Sequence, residues 1–241
     1  MFGFFHRTKR FAVTGLTDGM TDIHSHLLPG VDDGAKDLND SLRILKYLEE
    51  IGVRQMFFTP HVMSDLTNNN AGYLSEQFRL FQSNVPENIE VRLAAEYMLD
   101  AAFLSHLSDG LLSFDGRHVL VETSYMWAPP NLYELLYEMT VNDYTPVIAH
   151  PERYIFMENE DYRTLKRRGC KFQLNLLSLS GYYGKRAKLC SEELLKNDMY
   201  DFVGSDIHNM RHEQAYNSFL LTKDTELALR CLLDKNKELW K

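Results

Sequence analysis

Residues 20–34 read MTDIHSHLLPGVDDG, and the order of residue types in this short stretch decides the fold. Met20 to Leu27 is an apolar run of strand length. In extended backbone His24 and His26, two residues apart, point to the same face. A Pro-Gly turn follows and brings Asp32 and Asp33 back toward that face, without distinguishing which of the two carboxylates arrives. A strand that ends in paired imidazoles and a returning acid supplies one corner of a cation site. The rest of the chain repeats the design.

Working outward, short runs rich in β-branched, aromatic and aliphatic residues alternate with stretches of helical period. After Met20–Leu27 the candidate strands are Arg54–Pro60, Ile89–Tyr97, His118–Thr123, Thr145–Ala149, Lys171–Leu176 and Asp201–Ser205. Asp40–Ile51 spaces Leu42, Leu45, Leu48 and Ile51 by three and stops at Gly52, and Arg163–Arg168 stops at Gly169. Lys166, Arg167 and Arg168 are expected to offset the dipole at a helix C-terminus. Thr225–Trp240 reads as a terminal helix, and Asn68–Asn70 and Ala128–Asn131 read as loops. This alternation is the signature of βα units and a parallel sheet.

Strand ends carry the chemistry. His61 closes the second strand, Glu96 the third, Glu122 the fourth and His150 the fifth, while Asp206 and His208 follow the last. In a closed parallel barrel those ends form one rim, so residues far apart in sequence meet in one cavity. Buried carboxylates without a cation would repel and lose solvation, and lysine is nearly absent from these ends. Nitrogen and oxygen donors without thiolates suit Mn²⁺, Fe²⁺ or Zn²⁺. The donors exceed what one tetrahedral ion uses, which implies two or three ions with Glu96 as the candidate bridge. Ions about 3.5–4 Å apart activate water and clamp the oxygens of a phosphoryl transfer. Arg153 and Arg211, each three residues after a ligand-type histidine, are the guanidinium candidates for phosphate contact. Tyr182, Tyr183, Lys185 and Arg186 either touch substrate or pack a loop, and His6, His106 and His118 are assigned to core or surface.

Composition bounds the rest. With 241 residues, 44% hydrophobic and 25% charged, one domain over 1–241 is expected, preceded by an arm over 1–19. A net charge of −8 disfavours nucleic acid or an anionic membrane as a partner bound by bulk electrostatics. The arm mixes Phe2, Phe4, Phe5 and Phe11 with Arg7, Lys9 and Arg10, a composition that suits either a partner surface or folding back on the body. Cys170, Cys190 and Cys231 form no Cys-x-x-Cys pair, and none is followed six positions on by arginine. A disulfide framework and a thiol-dependent phosphatase loop are thereby excluded. No apolar run reaches the ~18 residues of a spanning helix, so a cytoplasmic chain is expected, held at the inner membrane at most through its partner.

The segments DIHSHLLPGVDDGAKD, TPH, AAEY, VLVE, IAHPERY, QLN…SLSGYYG and GSDIHN, between Asp22 and Asn209, together resemble the PHP superfamily of metallohydrolases. Within it they are most similar to the bacterial manganese-dependent protein tyrosine phosphatases of capsule and exopolysaccharide production. The resemblance implies a distorted (β/α)7 TIM-like barrel. It implies one ion held by His24, His26, Glu96 and Asp206, and a second by Glu96, Glu122 and His150. A third would take Asp33, His61 and His208, with Asp33 preferred over Asp32 by family spacing. Mn²⁺ is the expected metal, with Fe²⁺ and Zn²⁺ as alternatives. Arg153, Asp206 and His208 are expected to be catalytic, and Arg153 and Arg211 to contact substrate. The implied reaction is hydrolysis of phosphotyrosine on a bacterial tyrosine kinase by metal-bound hydroxide. The alternatives are a phosphatase of a small monoester (a sugar phosphate, histidinol phosphate or nucleotide) and a noncatalytic partner of polysaccharide export.

Overall fold

The computed structural model describes residues 8–241. Phe2, Phe4, Phe5, His6 and Arg7 lie outside the described residues. The strands are β1 (Lys9–Arg10), β2 (Met20–Asp22), β3 (Val53–Phe58), β4 (His61–Val62), β5 (Glu90–Leu93), β6 (Glu96–Met98), β7 (His118–Glu122), β8 (Thr145–Ala149), β9 (Lys171–Asn175), β10 (Phe202–Gly204) and β11 (Leu220–Leu221). The helices are α1 (Leu38–Glu50), α2 (Ala71–Phe81), α3 (Phe103–Asp109), α4 (Leu132–Val141), α5 (Asn159–Arg167), α6 (Lys185–Lys196), α7 (Arg211–Ser218) and α8 (Lys223–Asn236).

This is an α/β fold with parallel sheets. One sheet has the order β10-β9-β8-β7-β6-β4 and a second the order β2-β3-β5. Two of the strands expected from sequence are each split in two. Pro60 lacks an N–H, so the second expected strand breaks into β3 and β4, and the third breaks into β5 and β6 at Ala94–Ala95. The register survives both breaks. Phe58 pairs with Leu93 and His61 with Glu96, and the gap is spanned by Ala94 N–H to the Phe58 carbonyl (2.9 Å) and Glu96 N–H to the Pro60 carbonyl (3.1 Å). At the far side a parallel bridge joins Ser25 to Ile207, linking the chain after β2 to the chain after β10.

Several helices begin at a side-chain cap. Asp37 accepts the Asp40 N–H at the start of α1, Asn70 accepts the Tyr73 N–H at the start of α2, and Glu158 with Asp161 makes a capping box on α5. The basic end of α5 is structural, as expected: Lys166 pairs with Asp201, Arg167 with Glu160, and Arg168 lies over Tyr133. His118 pairs with Asp115 and His106 lies beside Tyr97. The described part of the arm folds back, with β1 antiparallel to β11 and Phe11 stacked on Phe219 at 4.9 Å.

The inward sides of the parallel strands meet in a separate apolar cluster of Ile23, Phe57, Ala94, Leu120, Val147, Ala149 and Phe202. Trp240 joins it edge-on to Phe57 at 4.9 Å, so the chain's end helps fill the space between strands.

Candidate metal centre

Past β2 the backbone stays extended, and it is pinned by Asp206 N–H to the His24 carbonyl (2.8 Å) and His26 N–H to the Ile207 carbonyl (3.0 Å). His24 and His26 therefore point the same way, with their Nε2 atoms 3.1 Å apart and both side chains fully buried. Two glycines permit this by close approach. A Cβ on Gly204 would lie 2.5 Å from His24 Cβ, and one on Gly34 would lie 1.9 Å from the His26 carbonyl oxygen.

Glu96 sits at the centre. Its Oε1 is 3.0 Å from His150 Nε2, while its Oε2 is 3.2 Å from both His24 Nε2 and His61 Nδ1 and 3.4 Å from His26 Nε2. Glu122 Oε1 lies 2.9 Å from His61 Nδ1. The two oxygens of Asp206 divide their work. Oδ2 accepts from Arg153 Nη1 (2.9 Å) and Asn175 Nδ2 (2.7 Å), while Oδ1 faces His24, His26 and His208 at 3.3, 3.4 and 3.5 Å. His150 and Asp206 adopt φ of +34° and +53°, a left-handed backbone that non-glycine residues adopt at a cost of about 1–2 kcal/mol. Asp143 and Asp198, away from the cavity, share this backbone region.

The structure separates Asp32 from Asp33. Asp32 is buried with its carboxylate on His26 Nδ1 (2.8 Å), Gly34 N–H (3.0 Å) and the His61 backbone N–H (3.1 Å), so it orients the His26 imidazole from behind and anchors the backbone at His61. Asp33 is 73% exposed and turns Oδ1 toward His208 Nε2 (3.4 Å) and His61 Nε2 (3.6 Å). Donor atoms drawn one from each residue come within 4.8 Å of one another in four overlapping groups: His26, Asp33, His61 and His208; His24, His26 and Asp206; His24, Glu96 and His150; His61, Glu96 and Glu122. Ligands about 2.0–2.2 Å from one ion sit roughly 3.0–3.5 Å from each other, which matches these separations. Moreover Glu96 Oε2, Glu122 Oε1 and His61 Nδ1 are buried and, although His61 Nδ1 lies 2.9 and 3.2 Å from the two oxygens, make no hydrogen bond of acceptable geometry. Buried polar atoms rarely go unpartnered, and these three fit a divalent cation.

Charge tells the same story. Burial opposes a charged His24, but Glu96 and Asp206 outweigh it and raise its pKa; burial likewise opposes a charged His61, yet it rises to about 9. Burial would raise Glu96 and Asp206, but the surrounding imidazoles hold both well below the usual carboxylate range. A positive charge is favoured here, and a divalent ion displaces such protons.

Arg153, 16% exposed, enters the same cavity from the turn Pro151–Arg153. The cavity has about 360 Å³ and is lined by Asp33, His61, Glu96, His150, Asp206 and His208 together with Arg153, Tyr125, Tyr182, Tyr183, Asn209 and His212. Arg211 is not among these residues. It is exposed at the first position of α7 and lines an adjoining cavity of about 610 Å³ with Lys36, Arg43 and Asn209. Arg186 is a loop staple: its guanidinium donates to the carbonyls of Tyr154 (3.0 Å), Ile155 (2.9 Å) and Met157 (3.4 Å).

The sequence reading missed four residues. Gln173 Oε1 takes His24 Nδ1 at 3.0 Å and so leaves Nε2 facing the centre, and Asn175 holds Asp206. Both are buried polar side chains in β9, a strand otherwise apolar at KFQLN apart from its opening lysine, and that was the available signal. His212 follows His208 by one helical turn, and burial lowers its pKa to about 4. Tyr125 packs on Arg153 and gave no local sign.

The fold and the cluster define an α/β protein with a nitrogen-and-oxygen donor centre at its strand ends. The sequence pattern of the capsular polysaccharide synthesis family CpsB/CapC matches residues 20–216, and the chain belongs to that family. The tyrosine-protein phosphatase YwqE of Bacillus subtilis (strain 168) is 30% identical over 239 residues, covering 91% of each chain. The tyrosine-protein phosphatase CpsB of Streptococcus pneumoniae is 30% identical over 209 residues, covering 82% of this chain and 86% of that one. A solved structure from the work on YwqE of Bacillus subtilis and CpsB of Streptococcus pneumoniae, described as unique metal-dependent tyrosine phosphatases, superposes with a TM-score of 0.71. It is 30% identical, and the match covers 82% of this chain and 84% of that one.

Proposed function

We propose that the protein is a metal-dependent protein tyrosine phosphatase of capsule or exopolysaccharide synthesis, acting on a phosphorylated bacterial tyrosine kinase. The observation that carries this reading is the buried cluster of Glu96, Glu122 and His61, whose facing atoms make no hydrogen bond of acceptable geometry, with Glu96 and His61 lining one cavity with Arg153. Its family relatives named tyrosine-protein phosphatases support the substrate class. The continuous register across Pro60 and the Ser25–Ile207 bridge support a distorted (β/α)7 barrel of one domain. Among the described residues no helix is long and apolar enough to cross a membrane, and we take the chain to be cytoplasmic, recruited to the inner membrane through its partner.

In this reading His24, His26, Glu96 and Asp206 would hold one ion, Glu96 with Glu122 and His150 a second, and Asp33, His61 and His208 a third; the donor atoms converge in overlapping groups, His150 with His24 and Glu96, and His61 with Glu96 and Glu122, so neighbouring ions would share donors. Manganese is the proposed metal, with iron or zinc able to substitute. Bound ions supply Lewis-acid chemistry, offsetting phosphoryl charge and lowering the pKa of water. The protein's own groups do the rest. Arg153, fixed by Asp206, presents its remaining N–H groups to the non-bridging phosphoryl oxygens. Asp32 and Gln173 keep Nε2 of His26 and His24 turned inward. A phenolate leaving group needs less acid assistance than an alkoxide.

The test is to strip the protein of metal and assay it on a phosphotyrosine peptide and on small phosphate esters, adding back Mn²⁺ or Zn²⁺ separately. Activity is expected to vanish on stripping, to return with Mn²⁺, and to favour the peptide in kcat/KM. His150→Ala and Arg153→Ala are expected to lose activity by about 10²-fold or more. Activity that survives stripping sinks the metal reading, and a strong preference for small esters moves the substrate class to a small monoester.

A further inference from the structure

Arg153 is held in an unusual way. Its guanidinium carbon lies 4.0 Å from the ring centroid of Tyr183 and 4.4 Å from that of Tyr125. One nitrogen, Nη1, donates to Asp206, and among the described residues the guanidinium makes no other hydrogen bond. Planar rings lying against a planar cation stop it from swinging while leaving its N–H edge free. Tyr125 comes from the loop after β7 and Tyr183 from the loop before α6, so two separate segments converge on one side chain.

The same rings belong to the cavity wall. Tyr125 is 38% exposed and Tyr182 45% exposed; Tyr182 meets Tyr183 edge-on at 5.0 Å and His212 edge-on at 5.1 Å. The cavity therefore has a floor of charged donors and a mouth of aromatic rings. A ligand that fits this division has a phosphoryl head and a flat apolar body. A sugar phosphate carries hydroxyls over its whole body and gains little from such a wall.

We propose that Tyr125 and Tyr183 form an aromatic clamp that fixes Arg153 and selects aryl over alkyl phosphate esters. The clamp rests on the phosphatase reading and adds the element that recognises the ring of the substrate. Aromatic pairs in edge or offset geometry contribute roughly threefold to tenfold each in affinity, so the two rings together set a preference on the order of tenfold or more. Arg153 itself cannot supply that preference, because it meets only the phosphoryl group common to both ester classes.

Phenylphosphonate and methylphosphonate separate these contributions, since they share a head and differ in the ring. Their affinities for the manganese-loaded full chain are measured by calorimetry in the wild type and in Tyr125→Leu, Tyr183→Leu, Tyr125→Phe and Tyr183→Phe. Melting curves identify any variant that fails to fold, and the exposed position of Tyr125 keeps its variants informative. The wild type is expected to favour phenylphosphonate by about tenfold or more. Each leucine variant is expected to lose most of that ratio, and each phenylalanine variant to keep it. Leucine variants that weaken both phosphonates equally would overturn the clamp, as would a wild type without a preference. A wild type that hydrolyses no phosphotyrosine peptide refutes the phosphatase reading instead, whatever the phosphonates show.

Discussion

Asp32 and Asp33 are adjacent carboxylates that the structure assigns opposite tasks, and exchanging each for asparagine tests that division. Asp32 accepts three N–H groups: Gly34 on Oδ1, and His26 Nδ1 and the His61 backbone on Oδ2. An asparagine has only one acceptor oxygen. If that oxygen replaces Oδ2, the amide NH₂ meets the Gly34 N–H; if it replaces Oδ1, the NH₂ meets two donors. Either way a buried donor goes unpartnered, at about 1–3 kcal/mol, and a charge-assisted bond to His26 is lost. Removing one charge from an acidic cluster offsets part of this, which leaves about 2 kcal/mol. For a chain of this size that lowers Tm by about 4–8 °C. His26 also loses its orienting partner, so metal affinity should fall about 10- to 100-fold. Asp33→Asn, at a side chain 73% exposed, should change metal-free stability by about 0.5 kcal/mol or less while removing a donor from the His26, His61 and His208 group. Thermal denaturation of metal-free protein and titration calorimetry with Mn²⁺ read the two effects separately. The reasoning fails if Asp33→Asn costs more metal-free stability than Asp32→Asn, or if Asp32→Asn leaves metal affinity at the wild-type value.

Two further expectations follow from close contacts elsewhere. Gly34→Ala would put a Cβ 1.9 Å from the His26 carbonyl, so the loop bearing Asp32 and Asp33 must move by roughly 1.5 Å to restore ordinary contact. Misplacement on that scale should reduce kcat/KM by about 10²-fold and lower the bound metal measured by elemental analysis; full metal content with wild-type kinetics would contradict it. Far from the centre, burial would raise the pKa of Asp115, but the His118 backbone N–H, the His118 ring and the Arg117 N–H outweigh this and lower it. A depressed folded pKa contributes stability above the unfolded value near 4 and loses it as pH falls through the folded value. Asp115→Asn should therefore cost about 1 kcal/mol at pH 7, with urea midpoints converging on the wild type as pH falls below the unfolded value near 4. A gap that stays constant with pH would show that charge is not its source.

Much of the centre was legible because strand geometry is local. His24 and His26 share a face by alternation alone, and each later donor follows an apolar run that the core demands. What escaped was set by contacts between strands. Nothing near Asn175 says that its amide will meet Asp206, 31 residues away, and nothing near Tyr125 says that it will lie on Arg153. Asp32 and Asp33 were inseparable because both follow the same turn; only the tight approach of Gly34 to His26 buries the first and turns the second outward. Arg211 shared its spacing with Arg153, yet the start of α7 carries it into the neighbouring cavity. Pro60 closed an expected strand, but that pairing would resume in register beyond it depended on the partner segment.

The residues behind the donors also explain why the centre tolerates so many acids. Asp33, Glu96 and Asp206 line the cavity with one guanidinium, Arg153, and Asp32 and Glu122 adjoin their histidines, so each further negative charge would raise the cost of assembling the folded chain. At Asp206 the support is accordingly an amide. Asn175 donates Nδ2 to Asp206 and accepts the Leu177 N–H on Oδ1, so both ends of the side chain are satisfied and no charge is added. A carboxylate in its place would turn a donor into a like charge 2.7 Å from Asp206. Glu152 is the acid that does lie close behind. It is removed from the cavity, accepts Asn175 N–H (3.0 Å) and the Tyr200 hydroxyl (2.9 Å), and burial raises its pKa. That shift favours the neutral form and limits the added repulsion. Cations bound at the centre would offset the remaining imbalance and would tie stability to metal concentration, by about 2.7 kcal/mol for each occupied site at a hundredfold excess over its Kd.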